Sequence, residues 1–284
     1  MKQKNAKSSL EKNVLLFGEG KKIFLLDNDL SIHEVATRHD NALAVISHNS
    51  KLYDISGGCV FETLKGRKMI AGRDYMVTVL CSHGGKLYDT GENKKIHDTL
   101  REKIQSMGSV GYRSDRIKTL CSHDGELYDA GYYKKIYNTL KGSVVAERDD
   151  WTHQLCSHKE KLYDATRNII YETHSGKIVA KRKSPIVTLE SYNGVLYDGS
   201  FGRIHETLTG RLLGKREGYV GAICLHNGTI YDIDERAIYE TYSDKVIHKT
   251  EIEYRDFRYG LLNRTLCSFP RETFVEMGIL RKEK

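Results

Sequence analysis

Proline is almost missing from this chain. There are two in 284 residues, Pro185 and Pro270, and no Gly/Ser-rich spacer accompanies them. A proline-rich or flexible linker between domains is therefore excluded. No apolar run approaches the roughly 18 residues that a membrane-spanning helix needs. The opening MKQKNAKSSLEKN is charged and has no apolar centre, so no secretory signal is expected. No segment has a convincing helical period. Long blocks of one charge are also lacking: the net charge of +7 comes from interleaved acids and bases. Hydrophobic residues make up 39%, which suits strands that alternate faces between short polar turns.

What is abundant is repetition. A Tyr-Asp pair returns at Tyr53-Asp54, Tyr88-Asp89, Tyr128-Asp129, Tyr163-Asp164, Tyr197-Asp198 and Tyr231-Asp232, in steps of 35, 40, 35, 34 and 34 residues. A period in this range means stacked copies of one small unit. Five of six cysteines (Cys81, Cys121, Cys156, Cys224, Cys267) hold one place in that unit, and Cys59 stands elsewhere. Equivalent positions on successive units point away from each other, so free thiols and a reducing, cytoplasmic setting are expected.

The stretch Leu120–Asp150 shows the unit at its clearest. Thr119–His123 reads as a buried strand. Asp124-Gly125 is a two-residue hairpin signal, because both residues accept positive φ. Glu126–Asp129 is a second strand. Lys135–Leu140 is a third, rich in β-branched and aromatic residues. Lys141-Gly142 turns the chain into a fourth strand, Ser143–Arg148. One unit is thus a four-stranded antiparallel meander. It cannot bury both faces alone, and radial stacking is the β-propeller solution.

The fourth strand ends in arginine seven times: Arg38, Arg73, Arg113, Arg148, Arg182, Arg216 and Arg255. The fold expected is all-β, a seven-bladed β-propeller of four-stranded antiparallel blades. The first unit lacks its inner strand, and Arg264–Ser268 copies Lys118–Ser122. The C-terminal segment is therefore predicted to supply that strand and close the ring. The division is a flexible segment over 1–12, one propeller over 13–269 and a tail over 270–284. The other blades fall at 43–74, 77–113, 117–149, 153–182, 186–216 and 220–256. The tail is expected as an added strand at 273–277 or as a loose end.

The run TLCSHDGELYDAG followed by KKIYNTLKG resembles a WD-repeat blade in its order of strands and glycine turns. It departs in carrying neither Trp-Asp endings nor Gly-His openings. The resemblance implies a rigid interaction platform and carries over no residue-level site.

Three sets of residues are candidates for chemistry. The first is Ser47-His48, Ser82-His83, Ser122-His123 and Ser157-His158, with His226 alone. A metal would need about four converging ligands, whereas copies around a ring diverge. A repeated hydrogen-bonded corner is the preferred reading, and no metal, cofactor or catalytic group is assigned. The second set is the seven arginines, which form either a positive rim or structural pairs with the repeated aspartates. Because Phe17-Gly18 replaces Tyr-Asp in blade one, Arg38 is expected to lack such a partner. The third set departs from the repeat: Tyr75, Arg116, Tyr132, Tyr133, Trp151, Lys183, Phe201, Tyr219, Phe257 and Arg258. These aromatics and bases sit on one predicted loop face of a rigid scaffold, where binding hot spots concentrate.

The reading preferred is a non-catalytic, monomeric ring that binds a protein partner through that face, with no membrane association. Nucleic acid or another polyanion is the alternative, since Arg, Lys and aromatics suit stacked bases and phosphates. A glycosidase-like propeller ranks third. Its candidate acids Glu62, Asp98, Glu172, Glu206 and Glu240 share one slot and are not differentiated as paired catalytic carboxylates must be. Glu190 is the exception, because it replaces the inner-strand cysteine of blade six.

Overall fold

The computed structural model describes residues 13–27, 29–65, 68–101, 109–234 and 236–249, the strand at 266–270, and residues 274, 277, 279 and 280. The segment 1–12 and the residues Arg255, Phe257 and Arg258 lie outside the described residues.

Seven antiparallel sheets form the ring. Blade one takes its second to fourth strands from Asn13–Glu19, Lys22–Leu26 and Ile32–Thr37. Its inner strand is Leu266–Pro270, paired antiparallel with Asn13–Glu19 in the register Leu15↔Ser268 and Leu16↔Cys267. The two ends of the chain thus complete one sheet, and the expected closure is what holds the ring together. Blades two to five and seven are the expected four-stranded meanders.

Blade six differs. Its second and third strands run on as one long strand, Val195–Glu206, paired with Leu212–Tyr219. The sheet bends at irregularities beside Phe201 and Ile204 instead of opening into a loop. Phe201 therefore faces Tyr219 across the sheet, and it is not at the tip of a separate loop.

The hairpin turns follow their sequence. Asp124 and Gly125 take φ of +48° and +71°, the left-handed region that a two-residue turn needs. Cores lie between blades. Cys121, Tyr128 and Ile136 of blade four pack on Leu155 and Leu162 of blade five. The tail contributes to one of these seams. Phe274 and Leu280 are buried against Val14, Leu16, Ile23 and Leu25 of blade one and Val45 and Leu52 of blade two. Phe274 has helical backbone, its carbonyl accepts from Ile279 N–H at 2.9 Å and its ring is buried, so it is neither a strand residue nor part of a loose end.

Candidate functional site

The arginines come first, because their place decides how much of the loop face is free. Each described arginine reaches forward into the next blade and grips the aspartate 16 residues on. Arg38 Nε and Nη2 donate to the two carboxylate oxygens of Asp54, each at 2.7 Å. Arg73–Asp89, Arg113–Asp129, Arg148–Asp164, Arg182–Asp198 and Arg216–Asp232 repeat the fork. A threonine after the third strand adds a donor, as Thr139 Oγ1 does to Asp129 at 2.8 Å. The third-strand residue directly opposite the aspartate closes the other side. Arg113 lies 4.2 Å from the ring centre of Tyr137, and Arg216 lies 4.1 Å from that of Tyr239.

The expectation that Arg38 lacks a partner is therefore corrected. The pairing runs to the following blade, so Arg38 has Asp54, and it is the seam from blade seven to blade one that has Gly18 in place of aspartate. A Cβ on Gly18 would meet the Ala42 carbonyl oxygen at 3.0 Å, so close packing occupies that space. The six described arginines are clamps between blades with buried or nearly buried side chains, and they form no free positive rim.

The histidines are also spoken for. His48, His83, His123 and His158 each place Nδ1 at 2.8–2.9 Å from the serine hydroxyl of the next blade: Ser82, Ser122, Ser157 and Ser191. Asn49 lies 3.0 Å from His48 Nε2 and can only donate there, so His48 Nδ1–H donates to Ser82. Burial pushes His48, His123 and His158 below the ordinary value, and His226 down to about 4, so these four are neutral at pH 7. Among the described residues, no group of three or more His, Cys, Asp or Glu is placed to hold a metal. The serial acids pair outward with bases: Glu62 with Lys65, Asp98 with Lys86, Glu172 with Lys161 and Glu206 with Arg211.

The loop-face residues divide. Tyr133 donates its hydroxyl to Asp129 at 2.6 Å and belongs to a clamp. Tyr75 is half-buried and stacks on His97. Arg116 is exposed and pairs with Glu92. Trp151 (44% exposed) and Tyr132 meet edge-to-face with centroids 4.7 Å apart. Lys118 Nζ lies 5.1 Å from the Tyr132 ring centre. His153 sits under Trp151, kept neutral by burial and then by Lys118. Phe201 (47% exposed) and Tyr219 form a second edge-to-face pair at 4.9 Å. Lys183 is exposed on the segment between blades five and six. The two aromatic pairs thus flank blade five, whose own turn carries the exposed Arg167. Trp151, Tyr132, Lys118, Phe201 and Tyr219 form the asymmetric part of the face.

Lys118 also lines the central channel, a cavity of about 470 Å³ walled by the inner strands of blades two to seven. Blade six breaks the repeat there twice on one strand. Glu190 takes the cysteine place and Tyr192 the histidine place. The Tyr192 hydroxyl lies 3.2 Å from the Ile223 carbonyl of blade seven and 3.4 Å from Glu190 Oε2. Removal from bulk water pushes Glu190 up to about 7. Folding thus favours the protonated acid. Its contribution to stability is complete below the unfolded-state value near 4.5 and is lost as pH rises towards 7. Glu190→Gln should therefore leave stability at pH 4 nearly unchanged and raise it at pH 8 by about 1–3 kcal/mol, a range reduced for channel water. Urea unfolding of both proteins at the two pH values checks this. An equal difference at both would overturn it.

No family model matches the chain, and no curated protein matches it. Solved structures do. A chain of the mitotic checkpoint complex superposes with a TM-score of 0.62 at 11% identity, covering 84% of each chain. The WD40 β-propeller domain of Doa1 gives 0.59 at 14% identity, covering 79% of this chain and 86% of that one. The computationally designed Ika8 protein gives 0.54 at 13%, covering 76% and 78%. At such identities the likeness concerns the fold. This chain is a seven-bladed β-propeller of WD-repeat-like architecture.

Proposed function

We propose that the protein is a non-catalytic scaffold that holds a protein partner against its loop face, centred on Trp151 and Tyr132. The observation that carries this is exposed Trp151 held edge-to-face on half-buried Tyr132, on a ring whose blades are locked by buried clamps. A rigid aromatic anchor loses little entropy on binding, which is why tryptophan and tyrosine dominate hot spots. The six described clamp arginines, and Nδ1 of His48, His83, His123 and His158, are already engaged by structural partners, so recognition falls to the residues that break the repeat. One solved neighbour is part of a multiprotein checkpoint complex and another is a WD40 domain, which supports a scaffold role in general terms.

Nucleic acid is the second reading, favoured by Lys118 over Tyr132 and by exposed Arg167 and Lys183 nearby. The test is affinity capture by wild-type and Trp151→Ala protein, at low and high salt, after nuclease. A protein partner retained at high salt, with affinity falling roughly tenfold or more in the variant, is expected. Retention indifferent to Trp151 would overturn the proposed face. Nucleic acid that leaves steeply as salt rises would favour the second reading.

A further inference from the structure

Glu190 is a carboxylate with too few partners. Among the described residues its one hydrogen-bond contact is the Tyr192 hydroxyl at 3.4 Å, and no Lys, Arg or His of them pairs with it. It faces a channel of about 470 Å³ in which Lys118 is the only other charged described residue, and Lys118 is turned onto Tyr132. Every other blade with a described inner-strand side chain at this place has an apolar or thiol residue: Ile46, Cys81, Cys121, Cys156 and Cys224. A carboxyl placed once in such a ring, without a counter-ion, either keeps its proton or takes a cation from outside.

We infer that the channel takes a single alkylammonium group, its cationic head on Glu190 and its stem along the apolar inner strands. The lining suits this ligand better than a metal. The neighbouring thiols stay protonated, burial pushing Cys81 up to about 12 and Cys121 and Cys156 above their ordinary range, so they offer no thiolate ligands. An ammonium needs one carboxylate and a few neutral acceptors, and Gln154 lines the same channel, its amide nitrogen donating to the Val187 carbonyl and its amide oxygen an acceptor. The half-buried Ile46, Val79 and Leu80 of blades two and three supply apolar surface for the stem. The ammonium could belong to a free amine or to the lysine side chain of a peptide.

The groups facing Glu190 fix its pH behaviour. They are Tyr192 on its own strand, Cys156 and Cys121 on blades five and four, and Lys118 at the channel wall. Burial holds the Cys121 and Cys156 thiols above their ordinary range. Because the acid takes up its proton at about 7 and the ligand needs the carboxylate, affinity should be about tenfold weaker at pH 6 than at pH 8.

The experiment follows the Glu190 side-chain carboxyl by ¹³C NMR in the full chain, with n-butylammonium in one arm and a short lysine-containing peptide in the other. Either ligand should lower the Glu190 titration midpoint by at least one pH unit, and Glu190→Gln should weaken binding at least tenfold. Stronger binding of the peptide would assign a lysine side chain as the natural group, and stronger binding of butylammonium a free amine. A midpoint unmoved by millimolar concentrations of both overturns the inference, as does equal binding by the variant. The wild-type titration stands even if the variant fails to fold.

Discussion

Replacing Asp129 with Ala is expected to lower the unfolding free energy by about 3–5 kcal/mol. Four donors converge on that carboxylate: Nε and Nη2 of Arg113, the Tyr133 hydroxyl and the Thr139 hydroxyl. All would be stranded in a seam where the aspartate is 0% exposed and the arginine 6%. A buried cation left alone costs far more than the intact pair contributes. Desolvation is strong enough here that Asp54, Asp164 and Asp232 are pushed up even beside their arginines. Burial acts on Asp198 too, but the His205 ring 3.6 Å away and the hydrogen bonds from Arg182 outweigh it and hold that carboxyl down. The clamps thus specify how blades mate more than they add net stability. It follows that Asp129→Leu with Arg113→Met should cost much less than the two single changes summed. A double-mutant cycle in urea measures the difference, and additive costs would refute the clamp.

Phe274→Ala should cost about as much, roughly 3–5 kcal/mol, for a different reason. The ring is fully buried, and truncation leaves a cavity between blades one and two next to Leu280, Val14 and Leu52. Phe274 follows the closing strand by four residues, so it anchors the segment that completes blade one. Phe274→Leu should cost far less, because most of the volume is kept. Unfolding midpoints of the two variants check this; equal, small losses would mean that the tail does not secure the closure.

Much of this was legible from residue spacing. The seven fourth-strand arginines gave the number of blades, and the copy of Lys118–Ser122 at Arg264–Ser268 announced the closure. The clamp was also written there but misread. From each described arginine to the following Tyr-Asp aspartate is always 16 residues, whereas from Arg73, Arg113, Arg148, Arg182 and Arg216 back to the preceding one it is 19, 24, 19, 18 and 18. Only an invariant spacing is compatible with a contact repeated at every seam. The length variation falls within the outer half of each blade, where the contact is not made. The threonine that follows the third strand, as in Asp98-Thr99 and Glu206-Thr207, was an equally regular signal for the extra donor.

Local chemistry sufficed for the strands, the positive-φ turns and the order of the blades, because alternation and turn residues act within a few positions. The ring determined the rest. Its position in sequence placed Tyr133 on the loop face, and the sheet instead brings its hydroxyl to Asp129 in a clamp. Phe274 had no repeat to identify it, and only the packing of the tail against two blades buried it. Glu190 was conspicuous in sequence as a departure. Its isolation from cations, its thiol neighbours and its exposure to the channel arise from strands far apart in the chain meeting around one axis. That arrangement, which no local pattern encodes, turns an odd residue into a candidate site.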